Sequence, residues 1–159
     1  MTPVRWLDPT EQRAWRSWTE STRLLLATLD RQLVEDAGVS FTDYELLVRL
    51  SEAPGRSMRM SALADATLAT RSGCTRAVTR LAANGWVRRS GDASDGRGTV
   101  ATLTADGLAK LRAAAPGHVE AVRSGLLDLL TPAELATLTS IGERVRDRVD
   151  PRAAGSIGG

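Results

Sequence analysis

The sequence predicts a mainly helical fold with one small β-hairpin, and three observations support this. Apolar residues recur at helical spacing in a long segment near each end of the chain. Capping residues and helix breakers mark several shorter helices between these segments. Two runs of β-forming residues, joined by a polar, glycine-rich stretch, follow the short helices. With 159 residues, 42% of them hydrophobic and 25% charged, the chain is long enough to bury a core.

Four helices are predicted in the first half of the chain. The first carries two tryptophans and several leucines at helical spacing, and Gly38 ends it. A capping box from Thr42 to Glu45 opens the second helix, which ends before Pro54. The third is short, and the fourth ends at Asn84, which is followed by a glycine. The four predicted helices cover about residues 9–36, 42–52, 61–66 and 70–84.

Two short helices followed at once by a basic hairpin form the winged helix-turn-helix arrangement. Residues 86–89 and 99–103 are the predicted strands, and residues 91–98 form a polar tip. The predicted lobe covers about residues 41–104 and has its own apolar core. The predicted core residues are Tyr44, Leu46, Leu47, Leu50, Leu63, Val78, Leu81 and Val87.

Two further helices are predicted after the hairpin. Thr104 caps the fifth, which covers about residues 107–115. Pro116 is expected to kink or interrupt this helix before a continuation through Leu130. Thr131 precedes a proline and lies three residues before Glu134, which is a strong signal for the start of a last helix.

The helices at the two ends of the chain are expected to form a homodimer interface. Their apolar stripes remain after the core of the lobe is assigned, and they suit an intertwined two-fold contact. The predicted dimerisation region comprises about residues 9–37 and 107–150, within a single domain of residues 9–150. The tail at residues 151–159 is rich in glycine and alanine, and we expect it to be disordered.

Positive charge is concentrated in the middle of the chain. Residues 56–97 contain eight arginines and three acidic residues, so this segment has a net charge of +5, although the whole chain has only +2. A basic segment between mildly acidic flanks is typical of proteins that bind polyanions. The arginines are Arg56, Arg59, Arg71, Arg76, Arg80, Arg88, Arg89 and Arg97.

The fourth helix has an apolar face and, opposite to it, a polar face. At 100° per residue, Cys74, Val78 and Leu81 fall together, and the other side carries hydroxyl and guanidinium groups. Such groups bind base edges and phosphates in DNA, although an ordinary solvated helix face has a similar composition. The polar residues that we expect to contact DNA are Ser72, Thr75, Arg76, Thr79 and Arg80.

The hairpin supplies a second basic element beside this helix. Arg88 and Arg89 lie on its first strand, and Arg97 lies at its tip, just after Asp95. Of these residues, Arg88, Asp95 and Arg97 are expected to contact DNA. An arginine at such a tip can enter a narrow minor groove, and Asp95 would orient Arg97 by pairing with it. Asp95 followed by glycine is also typical of a simple turn, and both interpretations hold together. Double-stranded DNA is therefore the predicted partner.

The composition excludes several other classes of site. Cys74 is the only cysteine and His118 the only histidine, so one chain has neither a disulfide nor a zinc site of the usual kind. Because no nucleophile, metal or phosphate-loop pattern occurs, we expect no enzyme activity and no cofactor. The sequence shows neither a run of about 18 apolar residues nor a signal peptide, so we expect a cytoplasmic protein without a membrane partner.

The stretch from Leu63 to Leu111 strongly resembles the MarR family of bacterial regulators. The matching motifs are LAD, the TRxVxRL run of the fourth helix, NGWVRR, the D-x-R of the hairpin tip, and LTADG. Each motif is weak alone, but together their order and spacing are specific, and the flanking helices extend the resemblance over nearly the whole chain. Two residues depart from the pattern. Gly73 would loosen the fourth helix or leave room for DNA, and Gly107 would weaken the start of the fifth helix.

This resemblance implies a homodimeric transcriptional regulator, usually a repressor, on a palindromic operator. It implies that the fourth helix lies in the major groove and the hairpin, or wing, in the adjacent minor groove. Many members release DNA when a small phenolic or anionic molecule binds. A winged-helix module that binds proteins instead of DNA is the alternative, and the basic residues of the helix and the hairpin disfavour it. The family's DNA-contacting positions correspond here to Ser72, Thr75, Arg76, Thr79, Arg80, Asp95 and Arg97.

Control by a small molecule would depend on residues outside the DNA-contacting face. Some members sense oxidants through a cysteine near the end of the first helix, and the first 40 residues contain none. Cys74 shares an apolar face, which favours packing over a redox role. Trp15 and Trp18 either pack in the dimer core or form the aromatic wall of a ligand pocket, to which His118 and Arg123 would add polar contacts.

Overall fold

The structure is a computed structural model, and it describes residues 3–67, 69–91 and 98–150. Within these residues it contains six α-helices, two short 3-10 turns and three strands, so the prediction of a mainly helical fold with a small β wing is confirmed. The chain divides after Ala121 into two compact units. The elements are α1 (Pro9–Ala37), α2 (Phe41–Glu52), β1 (Ser57–Arg59), α3 (Met60–Ala66), α4 (Arg71–Ala83), β2 (Val87–Gly91), β3 (Thr99–Leu103), α5 (Ala105–Gly125) and α6 (Pro132–Val149).

Side-chain caps explain where the two terminal helices begin. The Asp8 carboxylate accepts hydrogen bonds from the backbone N–H groups of Thr10 and Glu11, and the Glu11 side chain accepts one from the backbone of Asp8. Thr131 and Glu134 form the same reciprocal box at the start of α6, as the sequence predicted. Each box satisfies N–H groups that the first turn of a helix would otherwise leave unpaired.

The predicted cap of α2 is wrong. The helix begins at Phe41 because Ser40, rather than Thr42, is its N-cap, and the Ser40 hydroxyl accepts a hydrogen bond from the backbone N–H of Asp43. The tertiary structure favours this start, since the backbone N–H of Phe41 then donates to the Asp30 carboxylate of α1 at 2.8 Å. A contact between residues eleven positions apart thus decides between two local caps.

The sheet has one more strand than the sequence predicted. β3 lies in the middle and pairs antiparallel with β2 on one side and with β1 on the other. The β1 strand is only three residues long, and alternation of polar and apolar residues cannot be recognised over so few positions. The pair formed by β2 and β3 is called the wing below. Its tip at residues 92–97, which includes Asp95 and Arg97, lies outside the described residues.

Helix α5 is longer than the predicted fifth helix and is not interrupted at Pro116. It starts at Ala105, and Pro116 lies inside it on an exposed position. The next residue, Gly117, packs closely on α1, since a Cβ atom there would lie 3.1 Å from Gln32 Nε2. Burial of Leu111 and Ala114 in the apolar core, together with the packing of the His118 ring on Tyr44, supports the helix on both sides of Pro116. The helix ends at Gly125, before the predicted continuation does.

One apolar core connects the first five helices with the sheet. Every predicted core residue of the lobe is buried, and α1 and α5 add further residues that the sequence analysis did not assign to this core. Burial of these side chains is the main favourable contribution to the stability of this unit. The largest completely buried side chains are Leu33, Leu46, Leu47, Leu50, Leu63 and Leu81. None of the helices in the described parts of the chain is long and apolar enough to cross a membrane.

Gly107 has a packing role that the sequence analysis missed. A Cβ atom at this position would overlap the backbone carbonyl of Trp86, so only glycine lets α5 approach the end of α4 this closely. The helix start is nevertheless capped, because Thr104 Oγ1 accepts a hydrogen bond from the backbone N–H of Gly107 at 3.0 Å. The glycine is therefore a requirement of close packing rather than a weakness of the helix start.

Gly107→Ala is expected to lower the free energy of unfolding by about 1–3 kcal/mol, because the backbone of Trp86 must move to admit the methyl group. The comparison is Gly117→Ala in the same helix, where the nearest atom to a Cβ would be the end of the flexible Gln32 side chain at 3.1 Å. That change should raise the free energy of unfolding by about 0.5–1 kcal/mol through helix propensity. Denaturant unfolding of both variants measures the difference. Equal effects would contradict the packing role of Gly107.

Candidate nucleic-acid interface

A side-chain cap positions the first turn of α4. Thr70 is the N-cap, and its Oγ1 atom accepts a hydrogen bond from the backbone N–H of Gly73 at 3.1 Å. A Cβ atom on Gly73 would lie 2.9 Å from the same oxygen. The glycine that departs from the family pattern therefore leaves room for the cap, and α4 is regular from Arg71 onward.

The two predicted faces of α4 are present. Cys74, Val78 and Leu81 are completely buried, whereas the predicted polar residues are all exposed. Thr75 Oγ1 donates to the backbone carbonyl of Arg71, and Thr79 Oγ1 donates to that of Thr75. Because these hydroxyl protons are used within the helix, both oxygens present only lone pairs outward, which suits them to accept from a donor on a base edge.

Cys74 behaves as a small buried apolar residue. Its side chain is buried, and burial raises the pKa of the thiol above its usual value. A reactive cysteine needs a stabilised thiolate and access to the oxidant, and Cys74 has neither. The structure therefore supports the packing interpretation.

Arg80 has a partner inside the protein. Its Nη2 atom donates to the Asp43 carboxylate of α2 at 2.8 Å. Asp43 is the only charged residue that is buried among the described residues, whereas the Arg80 side chain is 55% exposed. The sequence analysis placed Arg80 on the DNA-contacting face but did not identify this ion pair. The guanidinium thus anchors α4 to α2 and still presents part of its surface outward.

Strand register separates the two arginines of β2. Arg89 pairs with Ala101 and Arg88 with Thr102, so the two side chains lie on opposite faces of the sheet. Arg89 is on the face toward α4, and its Nη1 atom donates to Thr79 Oγ1 at 3.4 Å. The sequence analysis chose Arg88 for the site, whereas the structure brings Arg89 to α4. Neighbouring arginines on a strand can be assigned to faces only when the register is known.

A groove of about 310 Å³ lies between α4 and the wing, and we call it the helix–wing groove. Ser61 of α3, Thr75 of α4 and Arg89 of β2 line it. The remaining lining residues are Arg59, Met60, Gly98 and Thr99, so no described residue of the groove is acidic.

Two of the four residues predicted for a ligand pocket share one groove. Trp15 and Trp18 line an open groove of about 460 Å³ along α1. His118 lies next to Gly117, which packs on Gln32, and fourteen residues separate Gln32 from Trp18 along α1. At the rise of a helix this is about 21 Å. Arg123 belongs to the second unit, where it forms an ion pair with Asp128 at 2.6 Å.

His118 is held between aromatic rings of the first unit. Its ring centroid lies 4.5 Å from that of Tyr44 and 5.9 Å from that of Phe41. The His118 Nδ1 and Gln32 Oε1 atoms are both buried, and neither has a hydrogen-bond partner among the described residues. Burial lowers the pKa of His118 below 6.5, because a charged imidazolium would lose its hydration there.

The shifted pKa predicts a pH dependence of stability. As the pH falls through 6.5, the unfolded chain binds a proton at His118 that the folded chain still excludes, so the free energy of unfolding decreases. His118→Phe keeps an aromatic ring in place and removes the group that binds this proton. The variant should lose less stability than wild type between about pH 7.5 and pH 5 in denaturant titrations. Because His118 is the only histidine, identical losses in both proteins would contradict the assignment.

Removing the partner of the buried carboxylate is expected to destabilise the protein. Arg80→Met keeps most of the apolar stem but leaves Asp43 buried without its ion pair, at a cost of about 1–3 kcal/mol. The matched control is Arg76→Met on the exposed face of α4, which should change stability by less than about 0.5 kcal/mol. Thermal and denaturant unfolding provide the measurement. Equal changes in the two variants would show that the ion pair contributes nothing.

Comparison with known proteins identifies relatives over nearly the full length of the chain. The family model for the MarR family matches residues 37–98. Sco3205, a MarR family transcriptional regulator from Streptomyces coelicolor solved in complex with DNA, is 46% identical, with a TM-score of 0.91 over 95% of this chain and 94% of that one. AbsC, a MarR family regulator from the same organism, is 44% identical, with a TM-score of 0.83 over 90% of this chain and 99% of that one.

Other comparisons add only the fold. BpsR of Bordetella bronchiseptica, whose DNA binding is regulated by 6-hydroxynicotinic acid, is 20% identical, with a TM-score of 0.74 over 85% of this chain and 99% of that one. No curated protein sequence matches this chain. The identities to Sco3205 and AbsC, together with the helix–wing geometry above, show that this chain belongs to the MarR family of transcriptional regulators.

Proposed function

We propose that this protein is a homodimeric repressor that binds a palindromic operator in double-stranded DNA through α4 and the wing. The observation that carries the proposal is the exposed polar face of α4, which lies beside an arginine of β2 in the most basic segment of the chain. The relative Sco3205, 46% identical, was solved in complex with DNA. As a regulator of transcription in a bacterial family, the protein would act in the cytoplasm.

The proposed complex places the exposed face of α4 in the major groove. Arg76 is the residue best suited to specify sequence, because a guanidinium binds the O6 and N7 atoms of guanine in a bidentate manner. Thr75 and Thr79 would accept from base donors, and Ser72 would contact a base edge or a phosphate. Arg80, anchored to Asp43, would contact a phosphate with its exposed surface.

The tip of the wing completes the proposed contact. Arg97 would enter the minor groove beside the α4 site, where a narrow groove has the most negative potential. Asp95 would orient the Arg97 guanidinium through an ion pair. Arg88, on the opposite face of β2 from α4, would contribute less than these residues.

Each unit leaves an apolar surface that a second copy would cover. In α1 only Leu29 and Leu33 are buried, while Trp15 and Trp18 are 60% and 46% exposed. In α6 no residue is buried, and Val145 is half exposed. Exposed apolar faces of this kind mark protein–protein contacts. A two-fold dimer would present two α4 helices about 34 Å apart, which matches one turn of DNA and a palindromic site.

We also propose that a small phenolic or anionic molecule releases the protein from DNA. The α1 groove has two indole rings, from Trp15 and Trp18, and the Arg23 guanidinium. This combination suits an aromatic ring with a negative substituent. In the first unit, His118 is not among the residues that line this groove and packs against Tyr44 instead.

The direct test is binding of the purified protein to the intergenic duplex upstream of its own gene, with a scrambled duplex of equal length as the reference. We expect selective binding by two protomers per duplex, and an affinity that falls steeply with salt because phosphate contacts release counterions. Arg76→Ala should reduce discrimination between the duplexes by about 5–150-fold, whereas Arg97→Ala should weaken binding to both.

Arg112→Ala is the matched control, since Arg112 is exposed on α5 outside α4 and the wing, and its binding should equal wild type. A wild-type protein with no selective, salt-sensitive complex would contradict the proposal and favour a winged-helix module that binds proteins. One protomer per duplex would contradict the dimer.

A further inference from the structure

The wing is attached to α5 at Trp86, the residue that links α4 to β2. We infer that Lys110 of α5 is a positioning residue for DNA binding, an inference that rests on the proposed function. The Lys110 ammonium holds the Trp86 ring and thereby fixes the wing relative to α4. Lys110 itself does not contact DNA in this arrangement, because it belongs to neither of the two DNA-facing elements.

Backbone contacts bring α4, β2 and α5 together at Trp86. The Trp86 N–H donates to the carbonyl of Leu81 in α4 at 3.0 Å, and the Trp86 carbonyl accepts from the backbone N–H of Thr104 at 3.0 Å. Gly85 turns the chain between α4 and β2 at a φ of 75°, and its carbonyl accepts a hydrogen bond from Thr104 Oγ1 at 2.7 Å. The residue that precedes α5 therefore holds the turn from which the wing starts.

One contact between side chains adds to these backbone contacts. The Lys110 ammonium lies 5.0 Å from the centre of the Trp86 ring, within the range over which the face of an indole attracts a cation. Both residues are half-buried, and partial removal of water strengthens this attraction. Lys110 has no hydrogen bond or ion pair with another described residue, so the indole is the partner of its charge.

The other attachments of β2 make this contact important for the position of the wing. Of the five residues of β2 only Val87, next to Trp86, is buried. The side-chain hydrogen bond from β2 to α4 joins Arg89 Nη1 and Thr79 Oγ1 at 3.4 Å, a length at which such a bond is weak. The end of β2 beside Trp86 is therefore the part that holds the strand in place.

The distance from the tip of the wing separates this role from a contact with DNA. The five residues of β2 lie between Trp86 and the tip, which is about 17 Å at the rise of a strand. Loss of the Lys110 charge would leave every proposed DNA contact in the chain but would let the wing move relative to α4. Ordering the wing again on DNA would then reduce the affinity.

The first test measures binding to the intergenic duplex over a range of salt concentrations. Lys110→Met should weaken binding by about fivefold, because each of two protomers loses the attraction between a cation and a ring. The slope of log K against log salt should not change, since no phosphate contact is lost. Lys110→Arg should restore the wild-type affinity. The matched control is Arg112→Met, which removes one positive charge from an exposed position of the same helix and should equal wild type.

The second test asks whether Lys110 acts through Trp86 and the wing. In the free protein, Lys110→Met should speed hydrogen exchange of the β2 and β3 amides and leave the buried half of α1 unchanged. In a Trp86→Leu background, Lys110→Met should have no further effect on affinity. The melting temperature of each variant is recorded, and binding is measured well below it.

Several outcomes would overturn the inference. An equal effect of Arg112→Met would mean that net charge is the cause, and a lower salt slope in Lys110→Met would mean a direct phosphate contact. Failure of Lys110→Arg to restore affinity, or a further loss in the Trp86→Leu background, would exclude the indole contact as the cause. A wild-type complex that Lys110→Met leaves unaltered overturns this inference alone. If the wild-type protein forms no selective, salt-sensitive complex, the proposed function fails, and this inference fails with it.

Discussion

The ion pair between Asp43 and Arg80 is the interaction on which the arrangement of the DNA-facing helix depends. A carboxylate that is buried needs a partner, because loss of its hydration is costly. Asp43 finds this partner on α4, 37 residues further along the chain. The buried apolar face of α4 decides which side of the helix points outward, and this ion pair adds a directional link between α4 and α2.

Two further polar contacts connect α2 with α1 and α4 with the wing. The backbone N–H of Phe41 donates to Asp30, which ties the start of α2 to α1, and Arg89 donates to Thr79, which ties α4 to the wing. In addition to the shared apolar core, polar contacts therefore connect the elements that would meet DNA to the long helix α1. The proposed control of DNA binding by a small molecule would need a route of this kind.

Much of the apolar surface of α1 and α6 is exposed. The core ends near Leu29 on α1, and the aromatic residues before it are exposed, as are the valines of α6. This distribution divides α1 into two parts. The second half packs in the core of the unit that holds α4, whereas the exposed first half is the part that the proposed second copy would cover.

The sequence by itself determined the features that depend on local spacing: the helices, the capped start of α6, the two strands of the wing and the two faces of α4. Short-range periodicity and capping are properties of neighbouring residues, so no tertiary information was needed. Only the tertiary structure decided that Arg80 is paired with Asp43, that Arg89 faces α4, and that Gly107 admits the carbonyl of Trp86. Each of these depends on contacts between residues more than ten positions apart, or on a register that shifts every side chain to the other face if it moves by one.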